Sequence, residues 1–252
     1  MIKMMAAICR RPGMTHAEYL AYVEHVHGAI SNENPVTVRR YVQNHVFDSA
    51  FGSGAEAAHS MTVARDSVTE LYWDDAQAMA ATFAHEHVRT KVGPDALKFS
   101  DTSVALSVVA VESEQPVAKP STGCGAKVLH YLRAVEGMGL PEFFTRWAKA
   151  HAMALEASPA AAAAVRRCVH NHQLPEFNSM LAYFGGKDLP IYEGVSSLWF
   201  DNVFAVGAFR DYERALLGIN SDPGTAFYRP DQSFFLYATE VPIYERNQAS
   251  DS

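Results

Sequence analysis

The chain has 252 residues, of which 48% are hydrophobic, and a formal net charge of -7 at pH 7. This composition supports a large buried core, and the lack of a cluster of Lys and Arg argues against nucleic acid as a partner. Three cysteines without paired spacing argue against a disulfide framework, and no apolar run approaches the roughly 20 residues of a membrane span. We expect a cytoplasmic globular protein.

The first half alternates between strand-like and helix-like patterns. The apolar run MMAAICR precedes an Arg-Pro-Gly turn, and a capping box of Thr15 and Glu18 then starts a helix with one apolar face. RRYVQNHVF, from Arg39 to Phe47, alternates with period two, as a strand does. VTELYW predicts a third strand, DAQAMAATFAHEHV a second helix and SVALSVVAV a last strand. This order is that of a ferredoxin-like unit.

The second half repeats the first. RRCVHNHQL, from Arg166 to Leu174, is a near copy of RRYVQNHVF, and LPEFFTRWAKAHAMAL aligns with THAEYLAYVEHVHGAI. The offset between the copies is 124 residues at the helix histidine and 127 at the strand, which predicts a short insertion in the Ala-rich turn SPAAAAAV. The segment ESEQPVAKPSTGCG reads as a solvated connector. We predict two domains, residues 1–113 and 126–246.

The fold follows from this duplication. A small sheet with helices on one side leaves its other face bare unless something covers it, and two units on one chain can cover each other. We predict an α+β fold in which two ferredoxin-like βαββαβ units pack sheet to sheet as an intrachain dimeric α+β barrel.

Three segments of the first half resemble the EthD family of dimeric α+β barrel proteins: RRPGMTHAEYLAYVEHVHGAI, VRRYVQNHVF and ELYWDD. The family pattern is an Arg-Pro-Gly turn, a helix with Tyr-Trp and a His four residues later, a Tyr-x-x-Asn-His strand and a Glu-x-Trp-Phe-Asp strand. The resemblance assigns the first-half positions to His27, Asn44, His45 and Glu70, and the second-half positions to His151, Asn171 and His172. Val23 replaces the family Trp in the first half and Ser197 replaces the acidic residue in the second, so the two pockets are expected to differ.

Five residues are therefore candidates for acid–base catalysis: His27, His45, Glu70, His151 and His172. A neutral imidazole in a pocket wall is suited to moving a proton near neutral pH. The alternative for the two helix histidines is structural, since the helix dipole or a backbone carbonyl can account for them. If Glu70 shares a face with His45 it would orient or charge-balance a histidine, although the sequence does not determine that face.

Polar residues two apart on a strand share a face, so the repeated strand is expected to line either a pocket or a polar seam between the halves. We favour the pocket, with six substrate-binding candidates: Tyr22, Arg39, Tyr41, Gln43, Trp147 and His170. The loops FDSAFGSGAEAAHSMTVARD and PEFNSMLAYFGGKDLPIYEG are long for so small a unit and are expected to act as lids.

Three His-x-His triplets raise the question of a metal. Helical residues two apart point about 200° apart, which excludes chelation by the triplets at His25 and His85. His170 and His172 share a strand face, but Gln43 replaces His170 in the first half and no further ligand follows at a suitable spacing. We predict no metal site.

The function predicted from these residues is that of a cofactor-free enzyme, because no nucleotide, haem or flavin motif accompanies the histidines. We expect a lyase or dehydratase, or a related cyclase or isomerase, acting on a small aromatic or polyketide-like substrate. The alternatives are a cofactor-independent monooxygenase and a non-catalytic protein that binds an apolar small molecule. A homodimer of whole chains is a further expectation.

Overall fold

The computed structural model describes residues 1–52, 64–181 and 189–246. The first half forms strands β1 (Ile2–Ile8), β2 (Arg40–Phe51), β3 (Ser67–Trp73) and β4 (Leu106–Gln115). Its helices are α1 (His16–Tyr22), α2 (Gly28–Glu33), α3 (Ala76–Ala84) and α4 (Gly93–Ala96). Two π-helical turns, Val23–His27 and Val88–Val92, precede α2 and α4.

The second half repeats this order. Its strands are β5 (Ala126–Leu132), β6 (Arg167–Gln173), β7 (Gly194–Phe200) and β8 (Phe234–Glu245). Its helices are α5 (Leu140–Ala157), α6 (Pro159–Ala164), α7 (Asn178–Leu181) and α8 (Val206–Asn220). Among the helices of the described ranges, none has the length and apolar character needed to cross a membrane.

The eight strands close one barrel in the order β1-β3-β2-β8-β5-β7-β6-β4. Two antiparallel seams, β2 with β8 and β4 with β6, join the halves strand edge to strand edge. Each half therefore covers the open sheet edges of the other, which would otherwise present unpaired backbone groups. The predicted intrachain α+β barrel is confirmed, and the seams show how it closes.

Two hydrophobic layers flank the barrel wall. Apolar residues of both halves meet inside it, among them Met5, Val46, Val68, Val108, Leu129, Val195 and Leu236. On the outer side of the second half, α5 and α8 pack on the strands through Phe143, Trp147, Phe209 and Tyr212. Because successive strand residues point to opposite faces, one strand supplies both layers.

Three local expectations need correction. The Ala-rich turn is helix α6, because the Ser158 hydroxyl caps it at the Ala161 amide and Pro159 occupies its first position. The second helix of the first half ends at Ala84, since His85 is extended. The segment predicted to be a solvated connector begins as strand, because β4 continues to Gln115 and pairs with β6.

Gly194 illustrates how tightly the second half packs. A Cβ atom at this strand position would lie 2.5 Å from Cζ3 and 2.9 Å from Cη2 of Trp147. We expect Gly194→Ala to lower the free energy of unfolding by about 1–3 kcal/mol, the usual cost of overpacking a core. Urea denaturation measures this loss. Gly218→Ala in α8, where a Cβ meets no described atom within 4 Å, is the control and should cost nothing. Equal effects of both changes would contradict the packing argument.

Candidate functional site

The repeated strand of the first half divides its side chains between two environments. Val46 belongs to the barrel interior, and Asn44, two residues earlier, shares that face. Gln43 points the other way and donates from Nε2 to the backbone oxygen of Val23, in the helix outside the barrel. Tyr41, Gln43 and His45 therefore lie between the sheet and the helices.

These three side chains form a hydrogen-bonded chain. His45 Nε2 lies 2.9 Å from Gln43 Oε1, and Gln43 Nε2 donates to the Tyr41 hydroxyl at 2.8 Å. An amide oxygen only accepts, so Nε2 of His45 carries the proton and Nδ1 keeps its lone pair. That Nδ1 atom lies 3.9 Å from a carboxylate oxygen of Glu24. Burial lowers the pKa of His45, and Glu24 opposes this effect.

Tyr41 also lines an apolar cavity of about 70 Å³. The cavity lies between the outer face of β2 and β3 and the two segments around the π turns, with Val38, Leu71, Phe83, Val88 and Val92 in its wall. Burial raises the pKa of Tyr41 to about 12, although hydrogen bonds from Gln43 and Thr69 favour the phenolate. At neutral pH Tyr41 therefore keeps its proton and is available as a hydrogen-bond donor.

His27 does not join this chain. Its Nδ1 atom lies 2.9 Å from Asp95, whose carboxylate also accepts from Tyr22 and pairs with Lys98. Its ring centroid is 4.7 Å from that of Phe99. Burial lowers the pKa of His27, and Asp95 only partly offsets this. The candidate substrate-binding residue Tyr22 is held in the same group.

A π turn explains why His27 and His151 have different surroundings. Both lie at the same distance along the chain from their helix caps, Thr15 and Gly139, but only the first helix contains a π turn, Val23–His27. A π turn accommodates one extra residue, which rotates the rest of the helix by about 100° relative to a regular one. The aligned histidines therefore face different elements.

Glu70 and His45 do not share a face, which was the condition for Glu70 to orient that histidine, because Glu70 lies inside the barrel. It pairs across the sheet with Val42, whereas His45 pairs with Ser67, so the two point to opposite faces. Glu70 is fully buried and contacts Lys3 at 3.1 Å and Lys127 at 2.6 Å. Burial alone would raise the pKa of Glu70, but the two lysines hold it well below its usual range.

In the second half, aromatic rings fill the corresponding outer face. Trp147 stacks on His170 with ring centroids 3.7 Å apart, and Phe144 stacks on His172 at 4.0 Å. His151 is buried, with Nδ1 at 2.8 Å from the Tyr212 hydroxyl. The structure thus brings His151, His170 and Trp147 together but separates them from the first-half cavity.

The remaining predicted residues lie at the strand ends. Arg39 binds Asp74 through Nε at 2.7 Å, and its repeat partner Arg166 binds Asp201 in the same way. Arg39 therefore has a partner at the surface and is not in the cavity wall. Of the two predicted lids, residues 53–63 and 182–188 lie outside the described part of the chain.

Sequence reasoning missed the buried lysines. Lys3 and Lys127 occupy equivalent positions in the two halves, each inside an apolar run, and both are about 1% exposed. The signal was present, because a lysine repeated within a buried strand requires a buried partner. His130 was also overlooked, since a single His in a strand has no motif.

The fold and the outer-face sites define a class of protein: a single-chain α+β barrel made of two ferredoxin-like repeats. The EthD domain family matches residues 11–103 and 135–223, one match in each half. The chain belongs to the EthD domain family, as the three sequence segments indicated. The sequence matches no curated protein.

Solved structures agree on the fold. An anthrone oxidase-like protein is 10% identical with a TM-score of 0.52, and the match covers 99% of this chain and 96% of that one. Chlorite dismutase of Candidatus Nitrospira defluvii, in complex with imidazole, is 9% identical with a TM-score of 0.52, over 96% of this chain and 91% of that one. A candidate monooxygenase of Fusobacterium nucleatum is 6% identical with a TM-score of 0.52, over 98% of both chains. At these identities the likeness concerns architecture.

Proposed function

We propose that the protein is a cofactor-free lyase or dehydratase that takes a small apolar or aromatic carbonyl compound into the first-half cavity. One observation carries this proposal: a buried chain of three polar side chains, His45, Gln43 and Tyr41, ends at Tyr41 in the wall of a mainly apolar cavity. Burying such a chain of polar side chains costs free energy unless all its members are hydrogen-bonded, and the bonded chain fixes the orientation of the Tyr41 hydroxyl.

Each member of the chain has a distinct role. Tyr41 is the catalytic residue, donating a hydrogen bond to the carbonyl oxygen of a β-hydroxy ketone as negative charge develops on that oxygen. A solvent water takes the α-proton and returns it to the departing β-hydroxyl, so that the products are the enone and one water molecule. Gln43 is a positioning residue, because its amide nitrogen occupies a lone pair of the Tyr41 hydroxyl. His45 is also a positioning residue, since its Nε2 proton binds the Gln43 oxygen and fixes the orientation of the amide.

The cavity sets the class of substrate. Its lining is almost entirely apolar, which favours a hydrocarbon or aromatic body with one polar group. A volume of about 70 Å³ is smaller than the several hundred Å³ typical of ligand pockets. We therefore expect bound substrate to displace the turn at Val88–Val92, which forms part of the wall.

The Tyr41→Phe variant tests the proposal. Incubated with simple β-hydroxy aryl ketones, the wild-type protein should form the corresponding enones, which absorbance follows. Tyr41→Phe should reduce kcat by about a hundredfold or more, because the oxyanion loses its donor, while binding of the ketone seen by NMR persists. His45→Ala should give a smaller loss. Tyr131→Phe is the matched control, a buried tyrosine in the barrel interior whose hydroxyl has no partner among the described residues.

A second candidate is non-catalytic binding of an apolar metabolite. The observation in its favour is that His27, His45, His151 and His172 are bonded or stacked elsewhere and are not part of the cavity wall. Ketone binding without conversion by the wild type would select this candidate. Oxygen consumption coupled to product formation would instead select the cofactor-independent monooxygenase.

A further inference from the structure

A cluster of three potential metal ligands lies between α5 and β6, on the outer side of the second half. It consists of His151, Cys168 and His170, and one ligand atom of each lies within 4.8 Å of the others. The Cys168 sulfur is 3.7 Å from His151 Nδ1. All three side chains are buried, with exposures of 1% or less.

His170 is the unusual member of this cluster. Neither of its ring nitrogens has a hydrogen-bond partner among the described residues, although the side chain is fully buried. Leaving both nitrogens of a buried imidazole unpaired costs free energy. Trp147 covers the face of the ring at an interplanar angle of 8°, and this leaves the in-plane lone pair available.

The hydrogen bonds of His151 determine which of its two ring nitrogens carries the proton and which one can bind a metal. Its Nε2 atom lies 3.2 Å from the backbone oxygen of Pro116, which can only accept, so Nε2 carries the proton. Nδ1 therefore carries the lone pair, which accepts a hydrogen bond from the Tyr212 hydroxyl at 2.8 Å and lies 3.7 Å from the Cys168 sulfur, so a metal ion bound here would take the place of the Tyr212 proton. Histidines that bind metals commonly donate their other ring N–H to a carbonyl in this way.

The equivalent positions of the first repeat do not form such a cluster. Tyr41 occupies the position of Cys168 and Gln43 that of His170, while His27 binds Asp95. The first half therefore has none of the three ligands in place. Two positions on one strand face differ between the repeats, and both differences introduce metal-binding atoms.

We propose that His151 Nδ1, the Cys168 thiolate and His170 bind a structural Zn²⁺ ion. Zinc takes sulfur at about 2.3 Å and nitrogen at about 2.0–2.1 Å in a tetrahedron, so its ligand atoms stand roughly 3.3–3.7 Å apart. The cluster needs a contraction of roughly 1–1.5 Å at most to reach this geometry. Cys168 releases its proton on binding, and the Tyr212 hydroxyl or a water supplies the fourth ligand.

The ion would hold α5 against β6, next to the segment that follows β4. Pro116, whose carbonyl holds His151, is the first residue after β4, and Val117 packs on the same core. Because the ligands are buried, we expect zinc to enter during folding and to exchange slowly. Bound zinc should stabilise the folded chain by mass action.

The test uses the full chain, without an affinity tag, purified in the absence of chelators. Mass spectrometry should find about one zinc per chain. After unfolding in guanidinium and refolding with Co²⁺, the absorbance of thiolate-to-cobalt charge transfer should appear. Refolding with Zn²⁺ should raise the Tm relative to refolding with a chelator.

Variants decide between a built site and incidental binding. Cys168→Ser and His170→Gln, the latter carrying the residue of the first repeat, should each lower zinc content and cobalt–thiolate absorbance at least tenfold. Cys9→Ser, Cys124→Ser and His172→Gln should retain both signals. Zinc below a tenth of an equivalent in the wild type, unchanged zinc in Cys168→Ser, or binding of Cu⁺ but not Zn²⁺ would each overturn the assignment.

Discussion

Glu70→Gln should lower the free energy of unfolding by about 3–5 kcal/mol, the usual cost of removing one partner from a buried ion pair. Glu70 binds the lysines of both repeats, with Oε2 on Lys3 and Oε1 on Lys127. Tyr72 and Asn44 donate to the same carboxylate at 2.6 and 3.1 Å. The neutral amide would leave two buried ammonium groups without their shared counter-charge.

The arrangement around Glu70 is nearly symmetric. Lys3 also binds Glu112, and Lys127 also binds Glu240, each of these carboxylates being partly exposed. Glu70 itself has no counterpart in the second half, where the equivalent residue is Ser197. The Ser197 hydroxyl accepts a hydrogen bond from Asn171 Nδ2. One buried carboxylate thus serves two repeats.

Urea unfolding of three variants measures this effect. Glu112→Gln is the matched control and should cost less than about 1 kcal/mol, because its carboxylate is screened by solvent and binds one of the two lysines. Glu70→Gln combined with Lys127→Met should recover part of the loss, since the double variant no longer buries the second ammonium group. A loss below about 1 kcal/mol for Glu70→Gln alone would show that water or a rearranged partner replaces the carboxylate.

Acidification from pH 7 to pH 5 should destabilise the protein, and His130 should account for about 2 kcal/mol of that loss. Burial lowers the pKa of His130 to about 3, with Arg210 adding to the effect. The unfolded state takes up a proton near pH 6.5, whereas the folded state does not until near pH 3. Stability is therefore complete above about pH 6.5 and falls as the pH drops through the window between these two values.

His130→Phe tests this linkage. Phe209, Tyr228 and Phe235 surround the imidazole edge to face, and its Nδ1 atom has no partner in the described part of the chain, so a phenyl ring should be tolerated at pH 8. The variant should lose less stability than the wild type between pH 7 and pH 5. Glu70 contributes a loss in the same direction, and it cancels in this comparison. His25→Gln, at an exposed site, is the control. Parallel curves for wild type and His130→Phe would refute the assignment.

Much of the fold was predictable because duplication is visible in the residues themselves. The repeated strand, the capping box of Thr15 and Glu18 and the order of apolar patterns specified two ferredoxin-like units. The outer-face position of Tyr41, Gln43 and His45 followed from period two once one of them was placed. The hydrogen-bonded chain they form was not predictable, since it depends on the orientation of one amide and on Val23.

The sequence by itself determined the repeat, the order of elements and which residues of a strand share a face, because these depend on local periodicity and chain length. Only the tertiary structure decided which face of each strand is the interior. Both faces of β3 carry apolar and polar residues. The alternation along the strand places Glu70 on the face opposite Ser67 and His45, but it does not show which of the two faces lies inside the barrel. Closure of the barrel settles this, because it places Lys3 and Lys127 of different repeats on either side of Glu70. The π turn Val23–His27 likewise gives His27 surroundings different from those of its repeat partner His151. Its single extra residue cannot be recognised from the pattern of apolar residues.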